Sequence, residues 1–384
     1  MSETSSIQLS IIIPCLNEKA TLAAAINLAR QAIEQSGLSG EVVVSDNGST
    51  DGSQAIAERE GARVVQAPRK GYGYALLEGF KQAKGEYLVM GDADATYDFR
   101  EAVAFIEHLK NGADFVIGSR LAGNIHPGAM PFLHRYLGTP VLSFLINLFF
   151  GLRITDCNCG MRALTRKAFD RLGLISGGME FASEMIIKAG LYNLKVKEVP
   201  CSLHKDTRDK EPHLRTWRDG WRHLRFILLF APHVVFTIPG WIFFVLGMGM
   251  TIPVLSGPFS IAGRIIDYHY LFYSIPLLFI GYQALWFAQI EDHFVKFAGF
   301  LPADMKSREE GGFQLERWLI LGGALSVGGG GVLIGIFWRW VATGFGPMAG
   351  IRPGATAMVL IILGVLTILN AMIISMMDTK VDRR

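Results

Sequence analysis

The stretch KGEYLVMGDADATYDF at 84–99 ends an apolar run with two carboxylates that lie two residues apart, Asp92 and Asp94. Like charges at this separation repel each other, so a bound cation or a phosphate-bound metal is the simplest way to keep both ionised. Carboxylate oxygens are hard ligands that suit Mg²⁺ or Mn²⁺. The pair therefore predicts a divalent cation site at the end of a strand.

The two acids belong to a repeating pattern of strands and helices. Short apolar runs bounded by turn residues predict strands at 9–14, 41–46, 62–67, 86–92 and 113–119. Helical patterns lie between them at 20–35, 52–60, 72–84 and 99–110. This alternation predicts an α/β fold, with a mostly parallel sheet that helices cover on both faces.

Three strand ends in this pattern carry polar side chains, at Pro14–Glu18, Asp46–Ser49 and Asp92–Asp94. Ligands of such sheets bind at the carboxyl ends of the strands. A carboxylate such as Asp46 can accept hydrogen bonds from a base or from ribose hydroxyls. Asp94 can ligate a cation that neutralises a departing diphosphate. This edge of the sheet therefore indicates a site for a nucleotide diphosphate.

Glycine-rich phosphate motifs give a weaker signal. No G-x-G-x-x-G follows the first strand and no G-x-x-x-x-G-K-[ST] occurs, which argues against dinucleotide oxidoreductases and P-loop ATPases. The segment PRKGYGYALLEG at 68–79 opens a predicted helix. Either its Arg69 and Lys70 help to hold phosphate at the helix N-terminus, or the segment is a plain turn.

The composition predicts a membrane-bound protein. The chain has 384 residues, 50% of them hydrophobic, and its formal net charge of +3 is too small to indicate a nucleic acid partner. Four long apolar stretches follow the mixed N-terminal region, at about 232–254, 268–290, 318–341 and 355–377. Each has the length of about 20 residues that a helix needs to cross a bilayer. Buried core helices seldom reach this length four times in one chain.

Basic residues flank these spans unevenly. The loop after the second span and the C-terminal tail contain Lys296, Lys306, Arg308, Arg317, Lys380, Arg383 and Arg384, whereas the opposite loops contain Arg264 and Arg352. The positive-inside rule predicts that the N-terminal domain and both termini are cytoplasmic. Four cysteines fit that reducing side, and the pair Cys157 and Cys159 lacks the partners of a zinc site.

Six strings together resemble a known enzyme family. SIIIPCLNE, VVVSDNGSTDGS, GDADATYD and DFVIGSRLAG are similar to glycosyltransferase family 2, which has the GT-A fold. ITDCNCGMRALTRKAF and GMEFASEM narrow the resemblance to polyprenyl-phosphate glycosyltransferases, close to dolichyl-phosphate mannose and glucose synthases. The match spans nearly all of residues 8–230. We therefore expect a GT-A domain at 1–203, a juxtamembrane amphipathic helix at 204–231 and an all-α domain with four spans at 232–384.

The resemblance implies which residues hold the donor. Pro14, Leu16 and Glu18 correspond to the nucleotide-binding loop, with Leu16 in place of the usual aromatic residue. Asp46 corresponds to the acid that contacts the nucleoside, and Asn47 stands where many relatives have a second Asp.

Asp92, Ala93 and Asp94 correspond to the family's D-x-D motif. Many relatives follow it with a metal-ligating Gln. Here Ala95-Thr96 stand instead, so Thr96, Tyr97 or water would complete the cation's ligands. Lys205 is a candidate diphosphate contact, in a basic stretch with Arg208 and Lys210 that is otherwise a solvated loop.

The resemblance also implies an acceptor site. Arg120 and Arg135 correspond to two arginines that grip a lipid phosphate, with surface salt bridges as the alternative role. Thr139 lies one helical turn beyond Arg135, so its hydroxyl is expected to face the same point. Asp156 is expected to support catalysis, and Glu184 to do so more weakly.

Two segments are predicted to lie at the membrane surface. The apolar core of 130–152 is too short to span, which favours an interfacial helix pair. In 204–230, an apolar face opposes a basic one, as in an interface anchor, with Trp217, Trp221, Leu224 and Leu228 against Arg218, Arg222 and Arg225.

These expectations combine into an inverting transferase that moves one sugar, a hexose, from a nucleotide-diphosphate sugar to undecaprenyl or dolichyl phosphate. Asp94, Asp156, Arg120 and Arg135 would carry catalysis. A phosphate monoester is largely dianionic at pH 7, so the attack needs little general-base help.

Two alternatives stay open, and a homo-oligomer is compatible with all of these functions. One alternative is a processive polysaccharide synthase, whose Q-x-x-R-W string is absent. The other is a non-catalytic scaffold or lipid-linked sugar translocase, which the scarcity of mid-depth charge in the spans disfavours. Gln283 and Asn370 are expected to form interhelical bonds rather than a transport path.

Overall fold

The computed structural model describes residues 7–206, 216–297, 313–346 and 350–378. The chain divides into two compact units, Met1–Phe230 and Ala231–Arg384. The expected basic residues Lys306, Arg308, Lys380, Arg383 and Arg384, and also Arg208 and Lys210, lie outside the described residues.

The first unit is built on a seven-stranded sheet in the order β3-β2-β1-β4-β6-β5-β7. Its strands are β1 Leu9–Cys15, β2 Gly40–Asp46, β3 Arg63–Gln66, β4 Tyr87–Met90, β5 Phe115–Ser119, β6 Arg162–Thr165 and β7 Val196–Pro200. β6 is antiparallel to β4 and to β5, whereas the other neighbouring pairs are parallel. The prediction of a mostly parallel sheet is confirmed.

Helices cover this sheet. They are α1 Leu22–Ser36, α2 Ser53–Arg59, α3 Tyr72–Gln82, α4 Ala102–Lys110, α5 Thr139–Phe150, α6 Arg166–Leu172, α7 Phe181–Leu191 and α8 Thr216–Leu229. Local chemistry fixes several ends: Thr165 caps α6 by accepting the Ala168 N–H, and Gly151 ends α5 in the left-handed conformation at φ 67°. A π-helical turn at His134–Gly138 leads into α5.

β6 lies between β4 and β5 in the sheet, and its first residue lies near the carboxyl ends of these two strands. Arg162 pairs with Met90 of β4 on one side and with Ile117 of β5 on the other. Since β6 is antiparallel to both, the segment that enters β6 lies where β4 and β5 end.

The second unit contains four helices that are long and apolar enough to cross a membrane, at His233–Ser256, Tyr268–Lys296, Leu315–Ala342 and Ile351–Met377. Their helical cores are α9 Ile238–Ser256, α10 Leu271–Phe297, α11 Leu315–Ala342 and α12 Ile351–Asp378. A short hairpin of β8 Phe259–Ile261 and β9 Arg264–Ile266 follows α9. The prediction of an all-α region with four candidate membrane-spanning helices is confirmed.

Polar side chains in the spans join α10 to α12. The amide of Gln283 donates to Asn370 Oδ1 at 3.0 Å, and the amide of Asn370 donates back to Gln283 Oε1 at 3.0 Å. Beside this pair, the hydroxyls of Tyr282 in α10 and Thr367 in α12 lie 2.6 Å apart. The expected interhelical bonds are thus present, and each residue satisfies the other in an apolar surrounding.

Candidate active site

The two acids after β4 are each oriented by a neighbouring hydroxyl. Asp94 Oδ1 accepts the backbone N–H of Thr96 at 3.0 Å and its Oγ1–H at 2.6 Å. The turn places Ala95 in the left-handed region at φ 57°. Asp92 Oδ1 accepts the phenolic O–H of Tyr72 at 3.0 Å. Tyr72 lies in the first turn of α3, whereas Thr96 lies in the turn after β4. Residues from two separate segments therefore orient this pair of acids.

The donor set fits a cation that is shared with a ligand. Thr96 donates to Asp94, so its hydroxyl serves to orient that acid. Within the residues that the structure describes, no group of three or more His, Cys, Asp and Glu side chains is suited to a metal. Two hard carboxylates match Mg²⁺ or Mn²⁺ when diphosphate oxygens or water complete the coordination.

The loops after β1 and β2 are bonded to each other. Asn17 has φ 59°, its N–H donates to Ser49 Oγ at 2.9 Å, and its Oδ1 accepts the Thr50 N–H at 2.8 Å. The Glu18 N–H donates to Ser53 Oγ at 3.0 Å. Pro14 is buried at the end of β1, Glu18 is buried behind it and Leu16 is exposed. The predicted donor loop is therefore well ordered by local bonds, with Leu16 as its outward residue.

Asp46 organises the loop that follows it. Its Oδ2 accepts the N–H groups of Gly48 at 3.0 Å and Ser49 at 3.1 Å, and the side-chain amide of Gln54 at 2.8 Å. Only 1% of Asp46 is exposed. A contact between this carboxylate and a nucleoside stays a prediction.

Asn47 joins the β2 loop to the glycine-rich segment. Its Nδ2 donates to the Arg69 carbonyl at 2.8 Å, and its Oδ1 accepts the Gly71 N–H at 2.7 Å. These two bonds need one donor and one acceptor, which an amide supplies and an ionised carboxylate does not. This explains why Asn is suitable at the position where many relatives have Asp.

The glycines of the segment at 68–79 allow close packing. A Cβ on Gly71 would lie 2.2 Å from the Gly177 carbonyl oxygen, and a Cβ on Gly73 would lie 2.3 Å from that of Ser176. The Tyr74 N–H, one of the first amides of α3, donates to Gly177 O at 3.2 Å. The plain-turn interpretation of this segment is therefore favoured over a phosphate cradle.

The carboxylate of Glu184 supports the loop that contains Ser176 and Gly177, and it is not placed to assist chemistry. Its carboxylate is 0% exposed, accepts the N–H groups of Ile175 and Ser176, and pairs with Lys188 at 2.6 Å. Lys188 also donates to the Gly173 carbonyl at 2.7 Å. The expected weak catalytic contribution of Glu184 is corrected to a structural one, because its carboxylate already accepts bonds from two backbone N–H groups and from Lys188.

Arg120, at the end of β5, forms a two-pronged ion pair with Asp156. Nε donates to Oδ2 at 2.6 Å, Nη2 donates to Oδ1 at 2.8 Å, and the backbone N–H of Arg120 donates to Oδ2 at 3.0 Å. The pair is internal, with side-chain exposures of 13% and 0%, so a surface salt bridge is the wrong description. The bonds to Asp156 use Nε and Nη2 of the guanidinium.

A second acid fixes Asp156 in turn. Glu198 of β7 accepts the N–H groups of Thr155 at 2.7 Å and Asp156 at 3.0 Å, and the hydroxyl of Thr155 at 3.1 Å. Glu198 was not predicted, since no motif near it in the sequence marks this role. Glu198 orients the acid that orients Arg120.

The acceptor residues of the helical segment occupy different environments. Arg135 is exposed, with its guanidinium 5.4 Å from the ring centre of Tyr136. Thr139 is buried, and its Oγ1 accepts the side-chain amide of Asn158 at 3.2 Å. His134, which the sequence analysis did not select, has its pKa lowered by burial and by the charge of Arg120.

Lys205 is exposed at the end of a described segment. The neighbouring His204 N–H donates to the Thr96 carbonyl at 2.8 Å, so the segment that carries Lys205 runs beside the Asp94 turn. A diphosphate contact by Lys205 stays a prediction.

Residues 156–160, here called the linking loop, lie between the acids and Arg120. Asp156 at one end holds Arg120, while the Gly160 N–H at the other end donates to Tyr97 Oη at 2.9 Å. A Cβ on Gly160 would lie 2.5 Å from Asp92 Oδ2. The linking loop thus joins the acids at the end of β4 to the Arg120–Asp156 ion pair.

The predicted interfacial segment has an exposed apolar face. Its exposed side chains are Phe132, Tyr136, Leu137, Val141, Phe144 and Leu148. α8 packs against α5 and α7, with His223 Nδ1 2.6 Å from Ser183 Oγ, and Trp221 is 61% exposed. The side chains of Trp217 and Arg218 lie outside the described residues.

Comparison with known proteins assigns the chain to glycosyltransferase family 2. The model for glycosyl transferase family 2 matches residues 10–173, and that for the glycosyltransferase family 2 C-terminal transmembrane region matches residues 293–378. The first unit therefore has the GT-A fold of this family, followed by a helical membrane region.

Several curated relatives are similar to this chain. It is 43% identical over 250 residues to the low-salt glycan biosynthesis hexosyltransferase Agl6 of Haloferax volcanii, covering 65% of this chain and 60% of that protein. It is 33% identical over 211 residues to the glycosyltransferase AglJ of the same organism, covering 55% and 67%. An uncharacterized glycosyltransferase of Mycobacterium tuberculosis is 32% identical over 203 residues, covering 52% and 87%.

Two solved structures are similar at low identity. Glucosyl-3-phosphoglycerate synthase from Mycobacterium tuberculosis, in complex with Mn²⁺ and UDP-glucose, has 20% identity and a TM-score of 0.45, covering 58% of this chain and 77% of that one. A mycobacterial protein has 19% identity and a TM-score of 0.49, covering 59% and 75%.

Proposed function

We propose that the protein is an inverting glycosyltransferase that transfers a hexose from a nucleotide-diphosphate sugar to a polyprenyl phosphate at the cytoplasmic face of a membrane. The observation that carries this proposal is the linking loop, which connects Asp92 to the Arg120–Asp156 pair. A transferase needs a site for a leaving diphosphate next to a site for its acceptor. The acids would supply ligands for the cation of the diphosphate, and the guanidinium groups of Arg120 and Arg135 would supply donors for the acceptor phosphate.

The donor side would use the acids at the end of β4. Asp92 and Asp94 would hold Mg²⁺ or Mn²⁺, which, when bound, neutralises the charge that develops on the leaving diphosphate. The β1 and β2 loops, with Glu18 and Asp46, would bind the nucleoside, and Lys205 would approach the diphosphate from the 204–206 segment. Tyr72 and Thr96 keep the two carboxylates in fixed directions.

The acceptor side would use cationic groups to orient a nucleophile that is already ionised. A phosphate monoester has a second pKa near 6, so it is mostly dianionic at pH 7 and needs little general-base help. Asp156 fixes the guanidinium of Arg120, and Nη1 of this group would bind the acceptor phosphate. Arg135 contributes a second positive charge. In-line attack of the phosphate oxygen on the anomeric carbon inverts that carbon.

Three observations support a lipid acceptor and a hexose. The chain has four candidate membrane helices, and the segment that carries Arg135 exposes an apolar face. An aromatic and apolar face of this kind is typical of helices in a membrane interface. Agl6 is named as a hexosyltransferase, which favours a hexose here. The distribution of Lys and Arg favours the cytoplasmic face.

A transfer assay tests this function. Membranes that contain the overexpressed full chain are incubated with a panel of radiolabelled nucleotide sugars and with undecaprenyl or dolichyl phosphate. We expect butanol-extractable label from one hexose donor, which increases with added polyprenyl phosphate and disappears with a metal chelator. Label in insoluble polymer would indicate a processive synthase, and the absence of label with every donor would indicate a scaffold or translocase.

A further inference from the structure

The linking loop is bonded to the acceptor side over most of its length. Asp156 accepts two bonds from the Arg120 guanidinium, and the Asn158 side chain donates to Thr139 Oγ1 at 3.2 Å. Between them, the Cys157 N–H donates to Ser143 Oγ of α5 at 3.0 Å. The loop therefore cannot shift without moving Arg120 or the start of α5.

The last residue of the loop contacts the donor side. The Gly160 N–H donates to Tyr97 Oη at 2.9 Å, and a Cβ at this position would lie 3.1 Å from Tyr97 Cε2 and 2.5 Å from Asp92 Oδ2. The phenol of Tyr97 is 97% buried, since 3% of the residue is exposed. Tyr97 thus holds the loop end directly against an acid of the cation site.

A buried cation prevents the loop from relaxing. Arg162 is 0% exposed and donates to the carbonyls of Cys157 and Cys159, both at 2.9 Å, and to that of Ala182. A buried guanidinium is costly unless such bonds are kept, so the loop backbone is strongly constrained around it. Because the loop is constrained in this way, a displacement of the loop end that Tyr97 holds would also displace Arg120.

We infer that Tyr97 is a positioning residue that sets, through Gly160, the separation between the donor's cation site and the acceptor's phosphate site. The inference rests on the proposed function and adds a residue that touches neither substrate. Transfer requires the attacking oxygen and the anomeric carbon to lie about 3–3.5 Å apart, so a small shift between the two sites lowers turnover. Burial raises the pKa of Tyr97 well above its ordinary value.

The first test removes the hydroxyl and keeps the ring. In Tyr97→Phe, the Gly160 N–H loses its acceptor while Asp92 and Asp94 are unchanged. We expect turnover at saturating substrates to fall about three- to thirtyfold. The dissociation constant of the nucleotide sugar with Mg²⁺, measured by calorimetry, should stay within about twofold, and the ratio of donor hydrolysis to transfer should rise. Tyr87→Phe, at the opposite end of β4, is the matched control and should leave all three unchanged.

The second test substitutes Gly160, the residue whose N–H donates to Tyr97. Gly160 lies outside the left-handed region, so alanine is allowed by the backbone, but its methyl group would meet Asp92 Oδ2 at 2.5 Å. We expect Gly160→Ala to weaken metal-dependent donor binding as well as turnover, because the carboxylate must move. The two variants therefore differ in donor affinity.

The outcomes separate the inference from the function on which it rests. Equal losses of donor affinity and turnover in Tyr97→Phe, or wild-type turnover with a wild-type hydrolysis ratio, would overturn the positioning role. A lower melting temperature with unchanged turnover would also overturn it. If the wild-type protein transfers no hexose to polyprenyl phosphate, the proposed function fails, and the inference fails with it.

Discussion

At the scale of single residues, Asp94 offers the most direct test of the cation site. Asp94→Asn replaces a charged ligand by a neutral amide, so we expect transfer to be nearly abolished and Mg²⁺-dependent donor binding to weaken. Calorimetry with and without Mg²⁺ measures the effect, and Asp170→Asn, at an exposed position of α6, is the control. Unchanged turnover at saturating Mg²⁺ would contradict the assignment.

Asn47 allows a prediction about stability. In Asn47→Asp, the Gly71 N–H keeps its acceptor, but the Arg69 carbonyl loses its donor and faces a carboxylate instead. An unsatisfied buried group costs about 1–3 kcal/mol. We expect a lower melting temperature in detergent, with the free energy of unfolding reduced by about that amount. Asn111→Asp, at an exposed helix end, should have little effect, and a melting temperature equal to the wild type for both would refute the explanation.

The two arginines are not equivalent as tests of the acceptor. Arg120→Ala would leave Asp156 buried without its partner, so a loss of activity there mixes folding with binding. Arg135 is exposed, so Arg135→Ala is the cleaner change. A charge-assisted bond to phosphate contributes about 1.5–3 kcal/mol, which corresponds to a roughly ten- to hundredfold weaker acceptor constant or turnover.

Donor affinity should stay near wild type in Arg135→Ala. Arg135→Lys should restore only part of the loss, because an ammonium keeps the charge and lacks the planar fork. The exposed Arg153→Ala serves as the control. If Arg135→Ala weakens donor binding and leaves the acceptor constant unchanged, Arg135 belongs to the diphosphate site.

At the scale of elements, the exposed face of α5 should lie in lipid. All four native cysteines are buried, so a cysteine introduced at Phe144 can be spin-labelled selectively. In vesicles, we expect this label to collide more often with oxygen than with a water-soluble nickel complex, as at an interface. A label at Lys81, exposed on α3, should show the reverse. Equal accessibility to nickel at both positions would exclude membrane contact by α5.

The elements were predictable where each carries its own local signal. The first five strands were predicted to within two residues at each end, because apolar runs and turn residues mark them. β6 and β7, with sequences RALT and VKEVP, were not predicted, since short strands with charged residues depend on their neighbours.

The residues of the candidate site were predictable under the same condition, namely where a local sequence signal marks them. Asp92 and Asp94 follow an evident strand, so their position at its carboxyl end was predictable. Tyr97 and Glu198 act on residues 63 and 42 positions away, and no spacing in the sequence reveals such contacts.

At the scale of the whole molecule, the boundary between the two compact units after Phe230 leads to a prediction about truncation. The entire seven-stranded sheet lies before this boundary, so a chain of residues 1–230 should fold and bind the nucleotide sugar with Mg²⁺. Calorimetry with the folded truncated chain tests this, and truncation after residue 160, which removes β6 and β7, is the control. Donor binding absent from a folded 1–230 chain would show that the unit is not autonomous.

The central place of β6 has a consequence for the order in which a ribosome makes this protein. β4 bonds to β1 and β6, while β5 bonds to β6 and β7, so β6 joins the early strands to the late ones. Until residue 165 has left the exit tunnel, the nascent polypeptide cannot complete the sheet between β4 and β5. Since synthesis runs from the N-terminus, β1–β4 leave the tunnel before β6 does. The bonds that join Asp92, the linking loop and Arg120 therefore form late in synthesis, and they are complete only after Glu198 of β7 has also left the tunnel.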